Sequence, residues 1–159
     1  MGRPSVRPRR NMAGFCVVTM VRQWQRVSAY GLAREGDTVL LVQIGRSSHG
    51  DLGKWMPPGG TIEHGEHPAE TVVREFAETT GLQVRVDGLL DVGSDHRELA
   101  GGLDFHGVFM LYAVTVLGGD LRPQPDGIMV EPSWHPAAEL DSIAMLDAVR
   151  DVLRAAVKK

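Results

Sequence analysis

The sequence predicts a single layered α/β domain, and three observations carry that prediction. Its length suits one core, two apolar stripes recur at helical spacing, and about six short segments have strand character. The chain has 159 residues, 43% of them apolar and 23% charged. That is enough to enclose one core of ordinary size and too little for two.

The totals also exclude several function classes. A formal net charge of −3 offers no clustered positive footprint for duplex nucleic acid, so no nucleic-acid partner is expected. No apolar run approaches the roughly 20 residues of a spanning helix, so no membrane association is expected. Cys16 is the only cysteine, which rules out an intrachain disulfide and fits a cytoplasmic location.

Residues 1–11 carry Arg3, Arg7, Arg9 and Arg10 with Pro4 and Pro8 and no acid, a composition too poor in apolar surface to offset ordering. A disordered basic arm is expected over residues 1–24, with the domain over 25–159. A competing reading joins Arg9-Arg10, the apolar run 13–21 and Val27-Ser28-Ala29 into an export signal. Arg22 and Arg26 interrupt that pattern, and Ala29 falls inside the first core strand.

Residues 27–33 and 38–44 read as paired strands, joined by Glu35-Gly36-Asp37 as a tight turn. Residues 45–65, rich in Gly, Pro, Ser and His, have no regular period and read as a shaped loop. A helix is expected from Pro68, whose ring suits the first helical position, to Gly81 as its stop, with Ala69, Val72, Val73 and Phe76 as the apolar stripe. Strand candidates follow at 83–86, 89–92, 105–116 and 128–134, with Gly93-Ser94-Asp95-His96 taken as loop. A last helix is expected over 141–157, because Ile143, Leu146, Val149, Leu153 and Val157 share one face.

Chemistry points to the first helix. Glu75 and Glu78 are about 60° apart around the helix axis, so with Arg74 they can serve one point in space. Alone this is weak, since such residues usually form solvated ion pairs. The full spacing is stronger: Gly60, five residues, Glu66, seven residues, Arg74-Glu75-Phe76, one residue, Glu78, two residues, Gly81-Leu82. Six fixed identities would coincide by chance about once in 10⁵ such chains. The pattern resembles the Nudix box, and Gly53-Lys54-Trp55-Met56-Pro57-Pro58-Gly59-Gly60 resembles the run that commonly precedes it.

That resemblance implies a Nudix-type α/β/α sandwich with a mixed central sheet. It also implies a Mg²⁺-dependent hydrolase, with Mn²⁺ as a substitute, cutting a diphosphate linkage in a nucleoside diphosphate derivative. A small nucleotide-type molecule is the expected partner, and a homodimer is an open alternative to a monomer. Carried over by position, Glu75, Glu78 and the carbonyl of Gly59 resemble the metal ligands. Glu75 and Arg74 are the catalytic candidates, Arg74 as the residue that orients a glutamate, and Glu66 resembles the brace of the loop. Trp55, Tyr30 and Gly60 are the expected substrate contacts, the two aromatics for stacking on a base.

One position departs from the pattern. Thr79 stands where the family has a second successive glutamate, usually a principal metal ligand. Another carboxylate could replace it, with Glu63, Glu70, Asp126 and Glu131 as candidates. The site could also use fewer metals or substrate-supplied ligands. The remaining alternative is a catalytically impaired domain that binds a nucleotide metabolite as a sensor. The histidines, including His64 and His67, lack the spacing of a zinc site.

Overall fold

A computed structural model of the protein describes residues 5–10, 16–46, 50–124, 127 and 129–159. Among these, nine strands, two helices and one 3₁₀ turn are present. In chain order the strands are β1 (Ser5–Arg10), β2 (Cys16–Val21), β3 (Gln23–Glu35), β4 (Thr38–Ile44), β5 (Trp55–Met56), β6 (Gly59–Thr61), β7 (Leu82–Leu99), β8 (Leu103–Gly119) and β9 (Met129–Pro136). The helices are α1 (Pro68–Thr80) and α2 (Asp147–Val157).

The main sheet runs β5-β4-β3-β8-β7, with β6 also paired to β3 and β9 to β4. It is mixed: β3 and β8 are parallel, and the other pairings are antiparallel. Alternation along β3 assigns its two faces. Ala29 and Ala33 join Val72 and Phe76 of α1 in one apolar cluster, while Tyr30 and Leu32 join Met145, Val149 and Leu153 on the α2 side in the other. The expected α/β/α layering is therefore present.

Helix α1 has the bounds its sequence announces. His67 Nδ1 accepts from the N–H of Ala69 (3.1 Å), and Glu70 Oε2 accepts from the N–H of His67 (3.1 Å), a reciprocal cap ahead of Pro68. Gly81 ends the helix at φ 78°, a left-handed conformation suited to glycine. Gly31 lets the helix approach closely, because a β-carbon there would lie 2.5 Å from the Phe76 ring.

Several expectations are corrected. Residues 83–86 and 89–92 belong to one strand, β7, which absorbs register shifts near Val84, Gly88 and Asp91. It continues through Gly93-Ser94-Asp95-His96, which pair with β8 and are not a loop. The segment 45–65 is not all loop but holds β5 and β6. Val73 is 42% exposed and leaves the α1 stripe to Val72 and Phe76.

The last helix starts at Asp147 rather than 141. Arg150 donates to the carbonyls of Leu140 (3.1 Å) and Ile143 (2.9 Å) and fixes the preceding chain as turns. Within the expected basic arm, β1 and β2 pair as an antiparallel ribbon outside the main sheet. The apolar run of β2 suits a strand, although a two-stranded ribbon alone is marginal. No helix among the described residues is long and apolar enough to cross a membrane.

Candidate active site

Strand β6 and helix α1 build the acidic site together. β6 pairs with β3 in the register Ser28 to Thr61, Ala29 to Gly60 and Tyr30 to Gly59. A β-carbon on Gly59 would strike the Ala29 carbonyl and come within 2.6 Å of Tyr30 Cα. One on Gly60 would lie 2.6 Å from Glu75 Oε1. Gly60 thus clears the space into which α1 delivers the Glu75 carboxylate, and Gly59 lets β6 lie close against β3.

Arg74 gathers the acids. Its Nη1 donates to Glu75 Oε1 at 3.1 Å and to Glu78 Oε2 at 3.3 Å, so both carboxylates reach one nitrogen. Its Nε and Nη2 donate to the two oxygens of Glu66 at 2.8 and 3.0 Å, a fork that fits the planar guanidinium. Nη2 also donates to the Thr61 carbonyl (3.4 Å), tying helix to strand.

Glu66 is the anchor of the loop before α1. It accepts from the Thr71 hydroxyl at 2.5 Å and from the Glu63 N–H at 3.2 Å. The Arg74 and Thr71 hydrogen bonds hold its carboxyl down to about 2. Glu75 behaves oppositely: burial pushes its carboxyl above the ordinary range, and Arg74 only partly opposes that. A half-buried carboxylate without enough counter-charge is electrostatically suited to a cation.

The replacement candidates separate. Glu70 serves the helix cap, Glu63 stands 3.9 Å from Arg74 Nη1, and Glu131 is exposed on β9 opposite Gln43. Asp126 lies outside the described residues. Thr79 is buried, and its hydroxyl donates to the Glu75 carbonyl at 2.7 Å, turned back onto its own helix.

Tyr30 links this site to a cavity of about 90 Å³ on the α2 face of the sheet. Trp24, Arg26, Asp95, Arg97, Phe105 and Phe109 are among its walls. Burial raises the pKa of the Tyr30 hydroxyl, and its ring meets Phe109 edge-on at 5.9 Å. Trp55 is placed elsewhere, against the His135 ring at 4.5 Å, and is not among the cavity walls.

Sequence reading missed this cavity. Its charged members Arg26, Asp51, Asp95 and Arg97 come from three separate stretches, and Asp95 lies in a segment that reads as loop. The available signal was the alternation Gly93, Asp95, Arg97, Leu99 along one face of β7.

With the fold and the box geometry in place, residues 23–156 match the family model described as NUDIX domain, and the chain belongs to that family. Putative mutator protein MutT4 of Mycobacterium tuberculosis is 33% identical over 130 residues, covering 78% of this chain and 51% of that protein. An ADP-ribose pyrophosphatase of Methanocaldococcus jannaschii is 34% identical over 101 residues, covering 63% and 56% respectively. The chain thus spans about half the length of these relatives. The crystal structure of a MutT protein from Methanosarcina mazei Go1 aligns with TM-score 0.71 at 20% identity, over 84% of this chain and 94% of that one. At that identity the likeness supports the fold alone.

Proposed function

We propose that this chain hydrolyses a diphosphate linkage in a nucleoside diphosphate derivative, using Mg²⁺ or Mn²⁺. The carrying observation is that Glu75 and Glu78 both reach Arg74 Nη1 within 3.3 Å, with Glu75 seated against the bare backbone of Gly60. The name of one relative, an ADP-ribose pyrophosphatase, supports the same chemistry.

The donor set fits a hard divalent cation. Among the described residues no three His, Cys, Asp or Glu side chains converge as a cage. Magnesium commonly takes only one or two carboxylates and completes its shell with phosphates and water. Glu75 and Glu78 would hold it, with the Gly59 carbonyl as a further oxygen. When bound, such a cation neutralises the diphosphate and activates water.

The chain's own residues do the rest. Arg74 holds both glutamates in position, and Glu66 fixes Arg74 and the loop that presents Gly59. Glu75 also assists removal of a proton from the attacking water. Tyr30 and Gly60 flank the substrate, whereas Trp55, packed on the His135 ring, stands apart from them. The lone Cys16 supports a cytoplasmic location.

Thr79 favours a second reading, a domain that binds a nucleotide without cutting it. Its hydroxyl is committed to the Glu75 carbonyl and offers the cation no charge. The purified protein should be incubated with dinucleotides, nucleotide sugars and nucleoside triphosphates plus Mg²⁺ or Mn²⁺, and nucleoside monophosphate or phosphate release followed. Turnover supports the hydrolase; binding without turnover supports the sensor.

A further inference from the structure

Three strands lay a row of side chains across the floor of the cavity. In the β3–β8–β7 ladder, Arg26 is opposite Gly107, and Gly107 is opposite Asp95. The neighbouring row is Trp24, Phe105 and Arg97. Strand spacing puts Arg26 and Asp95 about 10 Å apart at their backbones. Gly107 contributes no side chain between them, and the Phe105 ring leans across it, 3.1 Å from where a β-carbon would stand, so that ring partly roofs the slot between the two charged residues.

The slot is electrically uneven. Arg97 donates to both oxygens of Asp51, at 3.1 and 2.7 Å, and its Nε forms an ion pair with Asp95 Oδ2 at 2.8 Å. Lys54 adds a third contact to Asp51, at 3.0 Å. Arg26 takes no part in this cluster. Its Nε is shut off from solvent and meets no acceptor among the described residues. A buried donor without a partner is costly, so a ligand supplying the acceptor gains from meeting it.

Aromatic surfaces border the same slot. Trp24 and Phe105 are 5.1 Å apart between ring centroids, and the Arg97 guanidinium lies 5.9 Å from the centre of the Phe105 ring. Planar surfaces, one donor and one carboxylate describe a receptor for a flat heterocycle. Arg26 and Ala29, the partner of Gly60, face opposite sides of β3, so the link from cavity to acids runs through Tyr30, which lines the cavity and pairs with Gly59 of the acidic site.

We propose that Arg26 and Asp95 select the base of the substrate, Arg26 donating to a ring carbonyl and Asp95 accepting from the adjacent ring N–H. This rests on the reading of the chain as acting on nucleoside diphosphate derivatives. A lactam edge, as in hypoxanthine and guanine, presents a carbonyl oxygen beside an N–H. Both hydrogen bonds are then charge-assisted. An adenine edge instead presents an amino group beside a ring nitrogen, a weaker acceptor for the guanidinium. Arg26 and Asp95 are thus specificity residues, set apart from the acids of α1.

Inosine and adenosine 5′-monophosphate differ chiefly at that edge, which makes them suitable probes. Binding of each to the full chain should be measured by calorimetry without divalent metal, so that the result is independent of hydrolysis. The wild type should bind the inosine nucleotide about tenfold or more tightly, and Arg26→Gln and Asp95→Asn should each bring the ratio towards one while the melting temperature reports folding. Equal binding of the two nucleotides by the wild type overturns the proposal without recourse to any variant. So does a ratio unchanged in both folded variants. Base preference without turnover would refute the hydrolytic reading and leave this one standing; turnover without base preference would do the reverse.

Discussion

Glu75 is pulled in two directions by its surroundings. Burial disfavours its charge, and Arg74 recovers only part of the cost. Glu75→Gln should therefore lower turnover at least about 100-fold without lowering the metal-free melting temperature. Unchanged turnover would refute its role. Glu66 gives the opposite signature, with its hydrogen bonds from Arg74 and Thr71 holding its carboxyl down to about 2. A carboxylate depressed by folding stabilises the fold fully above its unfolded pKa and stops doing so as pH falls through the folded one. The stability gap between wild type and Glu66→Gln should be widest above pH 4.5 and close as pH approaches about 2. Urea denaturation across that range checks this, and a constant gap would assign Glu66 a packing role. Arg74, Glu75 and Glu78 were legible in the sequence because helical spacing alone brings them together. Arg26, Asp95 and Arg97 were not, because only the pairing of distant strands makes them neighbours.

At the scale of elements, α1 is a rigid part pressed onto β3 at Gly31. Gly31→Ala would drive a β-carbon to 2.5 Å from the Phe76 ring. It should cost about 1–3 kcal/mol and also reduce turnover, because the shifted helix carries Glu75. Thermal melts and kinetics on the same preparation test both halves. His67→Ala removes the side-chain acceptor from the Ala69 N–H and should cost on the order of 1 kcal/mol, with little effect on the acids a turn or more further on. The bounds of α1 were readable because cap and stop are local signals, Pro68 after His67 and Gly81 at the end. The start of α2 was not, because an apolar stripe continues through residues that Arg150 holds in turns by their carbonyls.

At the scale of the molecule, Arg97 and Asp51 fasten the chain before β5 to the far end of β7. Arg97→Met leaves the Asp51 carboxylate with Lys54 as its remaining cation in this cluster. Hydrogen exchange should then quicken at residues 50–54 while the α1 amides keep their protection; unaltered exchange would show that the ion pair is dispensable there. The layering was readable from composition and periodicity. The mixed order of the strands was not, since β3 and β8 are far apart in sequence and pair in parallel.

Strand β3 also limits how this protein can change. Its alternate residues serve two unrelated tasks, Arg26, Ser28 and Tyr30 turned to the cavity and Ala29 and Ala33 to the helix that bears the acids. Inserting or deleting one residue between Arg26 and Ala29 would exchange those tasks, placing a guanidinium under α1 or small apolar groups in the slot. Ligand preference can therefore drift by point substitution, whereas length variation in this strand is closed to it.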